Sequence, residues 1–485
     1  MISARPLPTE RLPSATVAAL LTTALATDVA IAWLMAQGRT DLLLYLVFAA
    51  AFGLSFLFWR QAVYAVFAVL FVEGYVRNLL NAPDALLLKD LMLVAIYLRF
   101  LVERTHRRTS LIPPSPINLP LAAFTGIVLV QAFNPNVASM AQAIVGVRTW
   151  LFYVPLYFVA SEMFEREREL RRFVWFILVC AVPISGLAFY QYFEGPDAYA
   201  ALGEGFERAV FVTGGARGII FRPNATFAWS SHFALFLAVV TLLCVGLLLG
   251  SKGRARGLLW VLLAGLIATN IIENQRSVLA LLPPLVLVIV ALRWSAGRAV
   301  TVALACLLGF VIVGQVASPA AFERIEGLLR NQDQVLNVRA ETYLDHFRTA
   351  LDSPIGFGTG ATALGTRHVL GSIPLFVEFS PAKVAGDLSV VGLALYLWLF
   401  LALLGSTLGI HKRAADNRLN VLASLAAATL AIGLIVLYMG YELAVTAIPF
   451  WFLSGAVFGV AERRIGDKEH SEEAPAAGAM TATDG

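Results

Sequence analysis

The segment NATFAWSSHFALFLAVVTLLCVGLLL, at residues 224–249, decides the fold class of this chain. It contains no Asp, Glu, Lys or Arg, and its apolar residues cover every side of a helix instead of alternating along a strand. A helix that crosses the hydrocarbon core of a bilayer needs about 20 mostly apolar residues. We therefore predict that this segment is a transmembrane helix.

Thirteen further segments share this apolar character, so the sequence predicts an all-α, polytopic transmembrane helix bundle. They lie near 16–36, 42–58, 62–78, 84–101, 117–134, 140–162, 173–193, 257–271, 277–292, 299–316, 383–409, 419–438 and 443–460. The short 257–271 segment and the crowded 42–78 region set the predicted range at 12 to 14 spans. Residues 1–466 are expected to form a single transmembrane domain.

The composition excludes several classes of protein. The chain of 485 residues is 59% apolar and 14% charged, whereas a soluble domain has roughly 45–50% apolar and about 25% charged residues. A water-soluble enzyme and a disordered scaffold are excluded. Because 36 basic and 32 acidic residues leave a net charge of only +4, no nucleic-acid partner is expected. The expected surroundings are a lipid bilayer.

The basic residues also predict an orientation. Most Lys and Arg residues lie in short loops on one side of the alternating spans, and the positive-inside rule makes that side cytoplasmic. Both termini are then cytoplasmic, with a disordered tail at 467–485. The two longest connections, 194–223 and 317–382, become extracytoplasmic loops.

The longer loop contains recognisable local structure. AFERIEGLLRN (321–331) and NVRAETYLDHFRTAL (337–351) both have the pattern of amphipathic helices. In the second, Tyr343, Phe347 and Leu351 form a stripe that is expected to lie on the membrane surface or on top of the bundle. The stretch GFGTGATALG (356–365) follows. It either supplies backbone N–H donors or acts as a flexible hinge or turn.

Basic residues outside the predicted cytoplasmic loops are the candidate site residues. Arg217 and Arg222 lie in ARGIIFRPNATF (216–227), Arg276 lies in IIENQRSVLALL (271–282), and Arg339 begins a face shared with Tyr343 and His346. Interfacial anchoring, a solvated hairpin tip and an ordinary surface arginine are the respective alternatives. Several converging arginines suit a multiply charged anion such as pyrophosphate, because guanidinium binds phosphate oxygens in pairs.

Two other features have simpler interpretations. Predicted spans contain Arg148 and, in another span, the consecutive residues Lys89 and Asp90. These charges are expected to form internal ion pairs. The three cysteines all lie in predicted spans, and the chain has no HExxH, GxSxG or P-loop motif. We therefore expect neither a metal site nor a cofactor.

Four stretches together resemble the O-antigen polymerase and O-antigen ligase superfamily of membrane glycosyltransferases. They are RxxxxRPN (217–224), QRS (275–277), RAETYLDHFRTALDSPIGFGTG (339–360) and VEFSPAKVAGDLSVVGLALYLWLF (377–400). The resemblance covers about 210–405, and the N-terminal half matches only in hydropathy. The last stretch is similar to the closing element of the family, a histidine followed by LxELGxxG.

One departure from this pattern distinguishes two activities. If Asp387, Leu388 and Gly392 stand for ELGxxG, the position of the ligase histidine is occupied here by Glu378. His368 lies ten residues earlier and would need a shifted loop to serve. The departure favours a polymerase over a ligase.

The resemblance implies a GT-C-like enzyme in the bacterial cytoplasmic (inner) membrane. Such an enzyme transfers a glycan from a polyprenyl-pyrophosphate carrier to a sugar hydroxyl on the outer face, here most simply polymerising repeat units of a surface polysaccharide. It implies Arg217, Arg222, Arg276 and Arg339 as pyrophosphate or glycan contacts and Glu378 with Arg276 as catalytic residues. The implied partners are the lipid-linked oligosaccharide and other assembly proteins, such as a flippase and a chain-length regulator.

Two alternatives stay open. An O-antigen ligase would transfer the glycan to lipid A core or to protein. A secondary transporter or flippase would move a lipid-linked or anionic substrate, since intramembrane charges also mark transport pathways.

Overall fold

The twelve predicted spans that fall on described residues all coincide with helices. The computed structural model describes residues 40–80, 86–215, 218–293, 332–375, 377 and 379–479. The predicted spans at 16–36 and 299–316 lie outside these residues. The 140–162 span consists of two consecutive helices that together are long enough to cross a bilayer.

The chain is almost entirely helical in its described part. The first helices are α1 (Thr40–Leu57), α2 (Trp59–Leu80), α3 (Leu88–His106), α4 (Asn118–Gln131), α5 (Met140–Leu151), α6 (Pro155–Met163), α7 (Glu167–Ala200) and α8 (Glu204–Glu207). After two short strands follow α9 (Ser230–Gly250), α10 (Arg254–Glu273), α11 (Arg276–Arg293), α12 (Gln332–Leu351), a 3₁₀ turn (Leu364–Thr366), α13 (Arg367–Leu370), α14 (Ser380–Asp416), α15 (Asn420–Ile435), a π-helical turn (Val436–Gly440) and α16 (Ala444–Ala479).

These helices form the bundle of a multi-pass membrane protein. Nine segments of the described chain are long and apolar enough to cross a membrane, and two shorter apolar helices, Tyr45–Leu57 and Asn118–Gln131, accompany them. In α9 and in the Ala444–Arg464 part of α16, 89% of the most apolar window is buried inside the protein. These two helices therefore form the centre of the bundle, and the others surround them.

Small residues let the central helices approach closely. Gly455 and Gly459, one turn apart on α16, face the backbone of α6. A Cβ at either position would lie 1.9 Å from a carbonyl oxygen, that of Tyr157 or Ser161. Lipid tails are as apolar as Leu side chains, so helices in a membrane gain little free energy by moving apolar side chains from lipid to protein. Close contact between backbones is therefore a main source of helix association.

A β-hairpin occupies part of the predicted 194–223 loop. Strand β1 (Phe211–Gly215) pairs antiparallel with β2 (Gly218–Arg222), and the register places Phe211 opposite Arg222. The sequence prediction did not include these strands. The signal was present, because glycines at the turn separate two short runs of β-branched and aromatic residues.

The long loop and the tail can be compared with their predictions in part. The predicted helix at 337–351 is confirmed within α12, whereas 321–331 lies outside the described residues. Tyr343 and Phe347 of the predicted stripe pack on the bundle, whereas Leu351 is exposed. The backbone of α16 continues through Ala479, past the boundary at 466 where a disordered tail was predicted. Alanine and glutamate are good helix formers, which is consistent with this extension.

The helices alternate in direction, so the bundle has two ends, which we name by what they carry. We call the end that carries the β-hairpin, the turn at 274–277 and the start of α14 the hairpin end. The opposite end carries residues 59–60, 99–110, 161–167, 411–423 and 462–464, and we call it the arginine end. Contacts such as Trp59 Nε1 to Glu103 Oε2 (2.9 Å) and Arg413 Nη2 to Glu462 Oε1 (3.1 Å) connect the helices there. The positive-inside prediction assigns the hairpin end to the outside of the cell.

Candidate functional site at the hairpin end

Arg222, at the end of the hairpin, connects two motifs that are 50 residues apart in sequence. Its Nε donates to the backbone oxygen of Glu273 at 3.0 Å, and its Nη2 donates to the side-chain oxygens of both Glu273 and Gln275. The side chains of Arg222 and Glu273 are only 8% and 2% exposed. The RPN stretch is thus fixed to the turn that precedes α11.

The RPN stretch is also anchored from its other side. Asn224 is completely buried, and its Nδ2 donates to the backbone oxygen of Ala209 at 2.8 Å. Gln191 of α7 bonds both backbone groups of Ala225, at 3.0 and 2.8 Å. The six residues from Asn224 to Trp229 therefore form a fixed, non-helical lead into α9, which begins later than predicted, at Ser230.

Arg276 is the first residue of α11. The turn before it is produced by Asn274, which ends α10 with a left-handed φ of 59°. Gln275 Nε2 donates to Ser277 Oγ at 3.0 Å, which closes the turn across Arg276. Arg276 is half-buried. Its positive charge is thereby combined with the N-terminus of a long helix, where free backbone N–H groups favour an anion.

A small apolar crevice connects α11 to the segment that follows α15. Val278 and Leu282 line it from α11, and Met439 lines it from the π-helical turn. Next to Met439, the Tyr438 hydroxyl lies 3.2 Å from that of Tyr343. The π-helical turn therefore borders α11 through Met439 and contacts α12 through Tyr438.

Phe379 completes an aromatic cluster at this place. Its ring centroid lies 5.3 Å from that of Tyr343 and 5.4 Å from that of Tyr438. Val377, two residues earlier, is buried at 3% exposure. Phe379 is thus fixed against α12 at the hairpin end.

Only some of the predicted site residues belong to the described part of the chain. Arg222 bonds Gln275, the residue before Arg276, and forms an ion pair with Glu273. Arg217 and Glu378 lie outside the described residues. Arg339 lies on α12, four residues before Tyr343, and its side chain is outside the described part.

Two acidic residues at this end were missed by the sequence analysis. Glu442 pairs with Lys383 of α14, and their side chains are 11% and 10% exposed. Glu73 of α2 forms an ion pair with Lys89, with 3.0 Å between Lys89 Nζ and Glu73 Oε2. Both carboxylates lie within otherwise apolar helices or at their ends, where a charge needs a partner. That position is the signal that would have singled them out.

The intramembrane charges that were predicted to form internal pairs do so. Arg148 pairs with Asp90, whose other oxygen lies 3.3 Å from the Tyr153 hydroxyl. Lys89 lies 3.9 Å from Asp90 as well as 3.0 Å from Glu73. Arg148 retains 41% of its side-chain exposure. The pairs therefore form one network that is partly open at its arginine.

The glycine-rich stretch is bound inside the bundle, so in the described structure it is a fixed turn. Asp387 of α14 is fully buried and accepts from three donors: the Gly360 N–H at 3.0 Å, the Thr362 N–H at 2.7 Å and Trp150 Nε1 at 3.0 Å. The backbone donors that the sequence suggested for a ligand are directed at this carboxylate. They connect the long loop to α5 and α14.

Glycine is required where this stretch crosses α5. Gly360 has a φ of 89°, and a Cβ on it would lie 2.4 Å from the Gln142 carbonyl oxygen. On the opposing helix, a Cβ at Gly146 would lie 2.3 Å from the Gly360 nitrogen. The two backbones are in direct contact, which only a pair of glycines permits.

Within the described residues, no group of three or more His, Cys, Asp or Glu side chains is placed to hold a metal ion. The described site offers cations, aromatic rings and helix N-termini. No protein-family model matches this chain, and no curated protein matches it significantly.

Proposed function

We propose that this protein is a membrane glycosyltransferase that moves a glycan from a polyprenyl-pyrophosphate carrier to a sugar hydroxyl, and that it polymerises repeat units of a surface polysaccharide. The observation that carries the proposal is the contact between the RPN stretch and the turn that presents Arg276, made by Arg222. Arg276 and the start of α11 would hold the pyrophosphate. Arg222 would fix their position.

The proposed reaction is a single displacement. The acceptor hydroxyl oxygen attacks the anomeric carbon, its proton passes to the Glu378 carboxylate, and the bond from the sugar to the pyrophosphate breaks. Polyprenyl pyrophosphate leaves with one additional negative charge, which Arg276 and Arg339 would stabilise. The anomeric configuration inverts because attack and departure occur on opposite faces of the sugar. The energy comes from the carrier, so the scheme needs no nucleotide sugar.

The packing of the long loop supports this assignment of roles. Arg339 lies on the same helix as Tyr343, which contacts Phe379, the residue after Glu378. Val278, in the first turn of α11, lines the same small apolar gap as Met439, the residue after Tyr438 of that cluster. The three motifs of the proposal therefore belong to one end of one bundle.

The test is polysaccharide length, measured by gel in cells that carry Arg276→Ala, Arg339→Ala or Glu378→Gln. Arg367→Ala, an exposed arginine on the same loop, is the matched control, and membrane expression is measured for each variant. We expect long chains to be lost in the three site variants, with accumulation of single lipid-linked repeats, while the control keeps them.

Two other outcomes would redirect the assignment. If long chains persist on the polyprenyl carrier and are no longer attached to a second acceptor, the protein is a ligase. If the glycans of every well-expressed variant are unchanged, the proposal that this chain transfers glycans is wrong.

Transport is the second candidate, and the network of Glu73, Lys89, Asp90 and Arg148 is the observation that favours it. Buried ionisable groups inside spans commonly lie on substrate or ion pathways. Purified protein in vesicles would distinguish the two functions. A flippase would move lipid-linked oligosaccharide across the bilayer, and Asp90→Asn would reduce that movement. A glycosyltransferase would lengthen the oligosaccharide on one side without moving it.

A further inference from the structure

A basic cavity of about 560 Å³ opens at the arginine end, on the opposite side of the bundle from the proposed glycan site. Six arginines among the described residues line it, against three glutamates, so its walls carry a net positive charge. The arginines are Arg60, Arg104, Arg107, Arg166, Arg463 and Arg464. Its volume lies in the range of about 300–1,000 Å³ that small-molecule pockets have.

Part of this charge is used to build the walls. Arg104 pairs with Glu162, and Arg107 pairs with Glu103, which also accepts from Trp59 Nε1 at 2.9 Å. These contacts join α2, α3 and α6 around the cavity. They also account for two of the three glutamates.

The other arginines are available for a ligand. In the described part of the chain, no carboxylate forms an ion pair with Arg60, Arg166 or Arg464 within 4.0 Å. Arg463 donates through Nη2 to the backbone oxygen of Ser161, but its Nε is buried and has no hydrogen-bond partner there. Glu165, the lining carboxylate that is not used in the walls, and Glu169 both lie near Arg463, but six arginines against four glutamates in all leave positive charge in excess.

The cavity also has an aromatic side and an apolar border. Trp59 and Phe100 line it, and the guanidinium of Arg60 lies 5.2 Å from the Trp59 ring centroid. Phe58 and Val102, beside these lining residues in sequence, are 57% and 48% exposed. A charged cavity next to exposed apolar side chains lies at the boundary between hydrocarbon and headgroups.

We propose that this cavity binds the phosphodiester headgroup of an anionic membrane lipid, with Arg60, Arg463 and Arg464 as its phosphate contacts. Guanidinium groups bind phosphate oxygens in pairs, and basic pockets between transmembrane helices on the cytoplasmic side suit anionic headgroups. The exposed apolar border accommodates the acyl chains. This favours a lipid over a soluble phosphate. The site is independent of the proposed glycosyl transfer.

The test measures phosphatidylglycerol bound to the full-length protein. Protein in phosphatidylcholine nanodiscs is titrated with phosphatidylglycerol, and retained lipid is counted by native mass spectrometry after release. The Arg60→Gln/Arg464→Gln variant is compared with Arg168→Gln/Arg171→Gln, which removes the same charge from exposed arginines outside the cavity. The cavity variant should bind phosphatidylglycerol about tenfold more weakly, since bonds to charged groups are lost, and the control should be unchanged.

Two results would overturn the proposal. Equal weakening in both double variants would mean that phosphatidylglycerol responds only to the overall charge of this end. If glycerol 1-phosphate without acyl chains competes fully, and its binding depends on Arg60 and Arg464, the ligand is a soluble phosphate and not a lipid. Thermal unfolding of both variants identifies any loss of binding that comes from misfolding.

Discussion

The two ends of the bundle use charge in opposite ways. At the hairpin end, two pairs are buried: the side chains of Arg222 and Glu273 are 8% and 2% exposed, and those of Lys383 and Glu442 are 10% and 11% exposed. At the arginine end, Arg413 and Glu462 are 48% and 50% exposed. Arg104, at 8%, is an exception there because it forms a wall of the cavity. Burying a charge costs several kcal/mol of solvation free energy, so a buried ion pair adds little net stability. Its expected contribution is to fix the relative position of the segments that it joins.

This contrast separates two roles for arginine. The exposed arginines of one end favour an orientation in the membrane, and each contributes little to the fold. The buried pairs of the other end each join segments that are distant in sequence.

The largest effect is expected for Asp387→Ala. The substitution leaves three buried donors, on Trp150, Gly360 and Thr362, without an acceptor, which should cost about 4 kcal/mol of unfolding free energy. Titration with sodium dodecyl sulfate in mixed micelles measures this. Asp352→Ala removes an exposed carboxylate of the long loop and should change stability by less than about 0.5 kcal/mol. Equal effects of the two variants would contradict the anchoring role of Asp387.

A smaller loss, about 3 kcal/mol, is expected for Glu273→Ala, because it leaves the charge of Arg222 buried without its carboxylate. The loss is reduced because Arg222 keeps two acceptors, the Gln275 side chain and the backbone oxygen of residue 273.

The double variant Arg222→Met/Glu273→Ala provides the critical comparison for that pair. Removing both charges should recover part of the stability while abolishing polysaccharide elongation, since the turn that presents Arg276 is no longer fixed. If the double variant is as unstable as Glu273→Ala and elongates normally, the pair has no role in positioning the site.

The smallest effect is expected for Glu462→Ala at the arginine end. Its partner Arg413 is half-exposed, so the pair should contribute less than about 0.5 kcal/mol, and less at high salt. The same detergent titration, run at low and high ionic strength, measures it. A loss as large as that of Glu273→Ala would remove the contrast between the two ends.

The sequence predicted the helices well because membrane insertion depends on local composition. Each predicted span within the described residues coincides with helix, and the internal pairing of Arg148, Lys89 and Asp90 is confirmed. A charge within an apolar run requires a partner regardless of the details of packing. Glu73 also lies within an apolar helix and could have been singled out in the same way, but its pairing with Lys89 depends on how α2 packs against α3.

The candidate site was predicted only as a set of residue types. Arg222 was assigned to pyrophosphate, but the structure pairs it with Glu273, whose carboxylate is fixed by the end of α10. For the glycine-rich stretch, the sequence allowed two interpretations: backbone N–H donors for a ligand, or a flexible hinge or turn. Its N–H groups bond Asp387, which is contributed by a helix that begins 20 residues later. No local pattern encodes such a contact.

The sequence by itself determined that this chain crosses a membrane many times, because apolar length is a property of each segment alone. It also determined where unpaired charge could not be tolerated. The tertiary structure decided which carboxylate meets which arginine, that the glycine-rich stretch is fixed against α5, and that arginines from α2 and α16 border one cavity. Those contacts depend on how the helices pack. The packing is controlled by the close approach of backbones at Gly146, Gly455 and Gly459, which hydropathy does not reveal.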